Sequence, residues 1–89
     1  MSRKLISVSS LKTLLEDGQE FEASAIKIRV IKGYFLILRE KEGVNSYTLS
    51  TWRSSSPKVF KTADALIKEA EGFGFNSVIF ELGDAGNGA

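Results

Sequence analysis

The chain has 89 residues, and its 12 Lys and Arg against 11 Asp and Glu leave a formal net charge of +1 at pH 7. This length allows one modest domain, and a composition of 43% hydrophobic and 26% charged residues is typical of a soluble globular protein. The chain contains no Cys and no His, which excludes disulfides, thiol chemistry, imidazole acid–base catalysis and metal sites built on those side chains.

The apolar segments are too short for a membrane span or an export signal. The longest apolar run, from Tyr34 to Leu38, cannot cross a bilayer. Behind the basic pair Arg3 and Lys4, the apolar stretch ends at Val8, well short of the ~7–15 residues that a signal peptide needs. We therefore expect a cytoplasmic protein with no membrane partner.

The first part of the chain predicts a short strand followed by a helix. Residues 4–8 suit the strand, and either Ser9 or Ser10 then offers an N-cap oxygen to the helix. Three leucines follow on one helical face: Leu11, Leu14 and Leu15. The Asp17-Gly18 pair ends the helix, because glycine tolerates the left-handed position that often follows a last turn.

The central part of the chain predicts three consecutive strands joined by tight turns. Residues 21–31, 34–39 and 44–52 are rich in β-branched, aromatic and alternating apolar residues. The Lys32-Gly33 pair is typical of a turn, and the charged residues 40–43 suit the loop of a second hairpin. These strands predict an antiparallel meander.

The last part of the chain predicts a second helix and a returning strand. Thr62 is a suitable N-cap, and Gly72 is a natural stop. Four residues line one face of the helix between them: Ala63, Leu66, Ile67 and Ala70. Residues 77–82 suit a strand, and the small polar residues 83–89 suit a disordered tail.

The predicted element order is (β)-α-β-β-β-α-β, with the first strand optional. It indicates an α+β fold: a three-stranded antiparallel meander plus a returning fourth strand, with two helices packed on one sheet face. We expect residues 1–82 to form a single domain.

The charges are unevenly distributed along the chain. Residues 1–26 hold three basic and four acidic residues, for a net charge of −1. Residues 27–61 hold eight basic and two acidic residues, for a net charge of +6, and residues 62–89 hold one basic and five acidic residues, for a net charge of −4. The near-zero total therefore hides a basic sheet region between acidic flanks.

Side-chain alternation predicts that the open face of the sheet is basic. If two isoleucines and Val30 of the first central strand face the core, Lys27 and Arg29 face away from it, and the odd positions of the next strand end in Arg39. Such a face suits a phosphate backbone, a DNA groove or an acidic protein patch. An open antiparallel face is also polar for solubility alone, and this alternative stays open.

Trp52 ends the third central strand and is followed by Arg53 and a run of serines. Two interpretations fit this position. The tryptophan can anchor its ring in the core with its N–H at the edge, or it can stack on a partner from an exposed rim.

The segment Phe60-Lys61-Thr62-Ala63-Asp64-Ala65 follows three predicted strands and opens the second helix. It resembles the Phe-x-Thr-x-x-Ala run that begins the helix in the small sheet-reading DNA-binding domains of phage and transposon integrases and of plant AP2 factors. The likeness extends over the strand order of residues 26–70. The family's strand motifs are absent, and this chain adds a helix before and a strand after. The resemblance implies DNA recognition through the sheet.

We find no catalytic constellation, since the carboxylates are not paired in motifs and the serines lack a positioned base. The sequence therefore indicates a non-enzymatic regulatory or binding module without cofactor or metal, which binds nucleic acid through its basic sheet face. The alternative is a protein-binding inhibitor or accessory factor of a plasmid or phage that recognises an acidic protein surface; either kind could be a homodimer. The candidate binding residues are Lys27, Arg29, Lys32, Arg39, Trp52, Arg53, Lys58 and Lys61.

Overall fold

A computed structural model of the protein describes residues 4–30, 32–51 and 56–82. In chain order the elements are β1 (Lys4–Ile6), α1 (Val8–Glu16), β2 (Phe21–Ile28), β3 (Gly33–Glu40), β4 (Ser46–Leu49), α2 (Ala63–Gly72) and β5 (Ile79–Glu81). The α+β class and the predicted element order are confirmed. Within the described ranges, no helix is long and apolar enough to cross a membrane.

The strands form one mixed five-stranded sheet in the order β1-β4-β3-β2-β5. The predicted antiparallel meander is its centre, because β3 pairs antiparallel with both β2 and β4. The predicted returning strand is β5, which runs parallel to β2 at one edge. The optional first strand exists as β1, and it runs parallel to β4 at the other edge.

Both helices pack on the same face of this sheet, as expected. The core there combines alternate residues of β2 and β3 with one fully buried leucine from each helix, Leu11 and Leu66. The strand residues of this core include Phe21, Ala23, Ala25, Leu36 and Leu38. The alanines give β2 small side chains beneath the helices, while leucines of the adjacent β3 supply apolar volume.

The opposite face of the sheet buries isoleucines, which differs from the expected basic face. Ile26 and Ile28 are buried there together with Ile37 of β3, whereas Val30 lies beyond the strand and is 85% exposed. Paired residues of antiparallel strands share a face, and Ala25 pairs with a core leucine. The isoleucines alternate with Ala25, so they must lie opposite the helices, and the expectation that they face the helix-side core is wrong.

Both helices begin at a side-chain cap. Thr62 caps α2 as predicted, with its hydroxyl accepting the Ala65 N–H at 3.1 Å. The predicted caps of α1 are wrong: its cap is Ser7, whose Oγ accepts the Ser10 N–H at 3.2 Å. Because β1 already ends at Ile6, Ser7 is the first residue free to satisfy the open N–H groups of the helix.

Both helices end with the same arrangement of hydrogen bonds around a left-handed glycine. In α1 this glycine is Gly18, as predicted, with φ +92°. In α2 the predicted stop at Gly72 is wrong, since Gly72 is the last helical residue and Gly74 adopts φ +96°. The N–H of Gly74 donates to Glu71 and that of Phe75 donates to Ala70, which closes the last turn.

Strand β3 is longer than the predicted 34–39, whereas the other four strands are shorter than predicted. β2 ends at Ile28, which pairs with Gly33, so the predicted turn at Lys32-Gly33 is wrong in that Gly33 is the first residue of β3. The third central strand, predicted at 44–52, is confined to Ser46–Leu49. The expected tail at 83–89 lies outside the described residues.

After β4 the chain returns along the start of β3. Tyr34 and Phe60 form an antiparallel bridge in which each backbone N–H donates to the other residue's carbonyl, at 2.8 and 2.9 Å. This approach depends on Gly33, because an added Cβ would lie 2.8 Å from a Val59 methyl carbon and 3.0 Å from the Phe60 carbonyl oxygen. The bridge brings Lys61 to the end of the sheet where β2 and β3 turn.

Candidate functional site

The β2–β3 turn end of the sheet carries a cleft of about 630 Å³ lined by basic side chains. Four of the candidate binding residues meet in it, and we call it the basic cleft: Lys27, Arg29, Lys32 and Lys61. The other described lining residues are Ile28, Gly33, Tyr34 and Leu82. The cleft gathers cations that are up to thirty-four positions apart in the sequence, from Lys27 to Lys61.

Three chain segments position these cations. Lys27 pairs directly with Tyr34 across β2 and β3, so the two side chains leave the sheet on the same face. Lys61 follows Phe60, which bridges to Tyr34 from the other side of β3. Arg29 begins the turn between the strands. Tyr34 therefore lies between β2, which carries Lys27, and the returning segment, which carries Lys61.

The basic cleft concentrates positive charge. Every charged side chain among its described lining residues is cationic. In the part of the chain that the structure describes, the ammonium groups of Lys27, Lys32 and Lys61 have no carboxylate partner, and all three residues are exposed. Because like charges repel, the proximity of these three lysines does not stabilise the folded state. It produces a local positive electrostatic field.

Arg39 lies away from the basic cleft, on the face of the sheet opposite the helices. Its guanidinium forms an ion pair with Glu81, with Nη1 3.1 Å from Oε2, and also donates a hydrogen bond to Ser24 Oγ at 2.6 Å. The expectation that Arg39 shares an open basic face with Lys27 is wrong. In this hairpin, odd residues of β2 pair with even residues of β3, so Lys27 and Arg39 must lie on opposite faces.

Lys58 is not among the described residues that line the cleft. The Lys58 ammonium lies 3.8 Å from a carboxylate oxygen of Glu69 and 5.1 Å from the ring centroid of Phe60. It thus connects the returning segment to α2. Trp52 and Arg53 lie outside the described residues.

Tyr34 is a residue of the cleft that the sequence did not indicate. Its ring stands edge-to-face with Phe80 of β5, with centroids 5.5 Å apart and ring planes at 88°. Its backbone is held by the Phe60 bridge, and it packs partly against the helix-side core. Lys27 faces Tyr34 because Ile28 pairs with Gly33 in the same register. The predicted two-residue turn implies a different register, so the sequence analysis did not bring Lys27 and Tyr34 together.

The arrangement suits recognition of a polyanion more than catalysis or metal binding. Several cations around one aromatic residue can hold phosphate groups and a flat ring. Within the described residues, no group of three His, Cys, Asp or Glu side chains could hold a metal ion. No family model, curated protein or solved structure matches the chain. Its function is therefore inferred from this geometry.

Proposed function

We propose that the protein is a small non-enzymatic module that binds nucleic acid in the basic cleft. The observation that carries the proposal is the meeting of Lys27, Arg29, Lys32 and Lys61 in one concave site whose described charged lining is entirely cationic. A regular chain of phosphates is the biological polyanion that such a group of cations attracts most strongly, because each contact releases counterions.

The proposed interface differs from the sheet face that the resemblance to integrase and AP2 domains implied. The face opposite the helices buries isoleucines, and Arg39 on it is engaged by Glu81 and Ser24. The cationic groups lie instead at the end of the sheet, around the β2–β3 turn. Phosphate contacts at this end need no side chain from the flat sheet surface.

The first test compares binding before and after two cations are neutralised. We expect fluorescently labelled single-stranded and duplex probes of about 12 nucleotides to bind the wild type at about 50 mM salt. If all four cations contact phosphates, the log–log salt slope is about −2.8 on a single strand, and Lys27→Gln with Lys61→Gln halves it. Affinity should be measured by fluorescence anisotropy between about 50 and about 200 mM salt.

The matched control is Lys12→Gln with Lys68→Gln, which removes the same charge from exposed positions on α1 and α2. We expect the control to bind nearly as well as the wild type, since those lysines lie on other elements. Absence of binding to both probes at low salt, or equal losses in the two double variants, would overturn the proposal and leave the cleft for an acidic protein surface.

A further inference from the structure

We infer that the ligand of the basic cleft is single-stranded nucleic acid, with one base stacked against Tyr34; this inference rests on the proposed function. The cleft joins the two groups that such a strand requires. Lys27 leaves the sheet beside Tyr34 on the same face, and the segment carrying Lys61 flanks Tyr34 from the other side. Phosphates can bind the cations while the base between them meets the ring.

The size of the cleft agrees with an extended strand. Its volume of about 630 Å³ lies within the range of about 300–1,000 Å³ that is typical of small-molecule sites. One unstacked nucleotide with its neighbouring phosphates fits such a space, whereas the bases of a duplex are stacked on one another and are not available to the ring.

Tyr34 is held in a fixed orientation, as a stacking platform should be. Its backbone forms two hydrogen bonds with Phe60, and its ring contacts that of Phe80 at 88°. Phe80 itself is 37% exposed. A ring that is already ordered loses little conformational entropy when a base stacks on it, so more of the stacking energy appears as affinity.

The elements that could enter a duplex groove are poorly suited to do so. The β2–β3 hairpin is flanked almost to its end, since β5 pairs with β2 up to Ile26 and Phe60 bridges to Tyr34. A ribbon that enters the major groove has to stand clear of its sheet. The exposed side of α2 includes Asp64 and Glu71, which phosphates repel.

The experiment compares three probes at about 50 mM salt: an oligothymidine and an abasic strand of equal phosphate number, each of about 12 nucleotides, and a duplex of about 12 base pairs. We expect the wild type to bind oligothymidine most tightly. Tyr34→Leu should weaken oligothymidine binding by about 5- to 150-fold and leave the abasic strand unchanged, because only the base contact is lost. Tyr34→Phe keeps the ring and serves as the control.

The outcomes separate this inference from the proposed function. If the abasic strand or the duplex binds as tightly as oligothymidine, and neutralising Lys27 and Lys61 still weakens binding, the single-strand inference is overturned and nucleic-acid binding stands. If no probe binds, both are overturned. If Tyr34→Leu fails to fold, the comparison of oligothymidine with the abasic strand on the wild type still decides, since equal affinities contradict a stacked base.

Discussion

The two ends of the central hairpin carry opposite charges and employ them differently. At the turn end, Lys27, Lys32 and Lys61 gather without a carboxylate partner among the described residues. At the other end, about 23 Å away along eight-residue strands, Glu20, Glu40 and Glu42 line a second cleft of about 320 Å³. Both ends are concave and charged, and Glu40 at the acidic end forms hydrogen bonds within the fold.

The acidic end uses a carboxylate to hold a loop together. One oxygen of Glu40 accepts a hydrogen bond from the Gln19 side chain at 3.1 Å, and the other accepts the Asn45 backbone N–H at 3.4 Å. The Glu40 carboxylate thus connects Asn45, at the end of the loop between β3 and β4, to Gln19 in the turn after α1. The comparison teaches that a carboxylate supports the structure at the acidic end, whereas the three lysines of the basic cleft have no carboxylate partner among the described residues.

The largest expected effect concerns the backbone beneath the basic cleft. We expect Gly33→Ala to lower the free energy of unfolding by about 1–3 kcal/mol, because the new Cβ would press on Val59 and on the Phe60 carbonyl. Separation of Phe60 from Tyr34 should also reduce nucleic-acid binding. Urea unfolding followed by circular dichroism measures the first effect, and anisotropy measures the second.

The matched control lies at the acidic end. In Gly43→Ala the three atoms nearest to the added Cβ all belong to the Glu40 side chain, whose carboxylate can turn aside with loss of its hydrogen bonds to Gln19 and Asn45. A smaller loss of stability with unchanged binding is expected there. Equal losses in the two variants would show that the close approach at Gly33 does not hold the basic cleft together.

A smaller effect is expected from Glu40→Ala. Loss of its two hydrogen bonds should lower the free energy of unfolding by about 1 kcal/mol, as is usual for exposed bonds of this kind. Nucleic-acid binding should be unchanged or slightly stronger, because a distant negative charge is removed. Urea unfolding gives the stability. A variant as stable as the wild type would mean that the acidic end is not structural, and the contrast between the ends would fail.

The smallest effect is expected from Lys32→Gln, which should leave stability unchanged or raise it by a few tenths of a kcal/mol by relieving like-charge repulsion. The same substitution should weaken nucleic-acid binding, since one phosphate contact is lost. Thermal unfolding and anisotropy on the same preparations provide both values. A clear loss of stability would show that this lysine serves the fold and not a ligand.

Several features of the fold followed from local sequence signals. Thr62 caps α2 and Gly18 ends α1, as their types and positions predicted. The leucine stripe of α1 contacts the core through Leu11. Capping and helical periodicity depend on neighbours three or four residues away, so the chain reveals them without knowledge of the fold.

The faces of the sheet could not be assigned correctly from one strand. Alternation in β2 separates Ile26 from Lys27, but it does not say which of them lies beneath the helices. The small Ala23 and Ala25 occupy that side, and the isoleucines are buried on the other. Lys27 shares the alanines' side and remains exposed near the turn end of the sheet. Because β2 is buried on both faces, it lacks the contrast between one apolar and one polar face on which the prediction depended.

The chain alone was sufficient to predict the class, the order of the elements and the concentration of positive charge in residues 27–61. Which of those cations meet was decided by long-range pairing: the register of Lys27 with Tyr34 and the bridge from Phe60 that delivers Lys61. The physical reason is that charge and periodicity are properties of neighbouring residues, whereas a cleft exists only when backbone hydrogen bonds bring distant segments side by side.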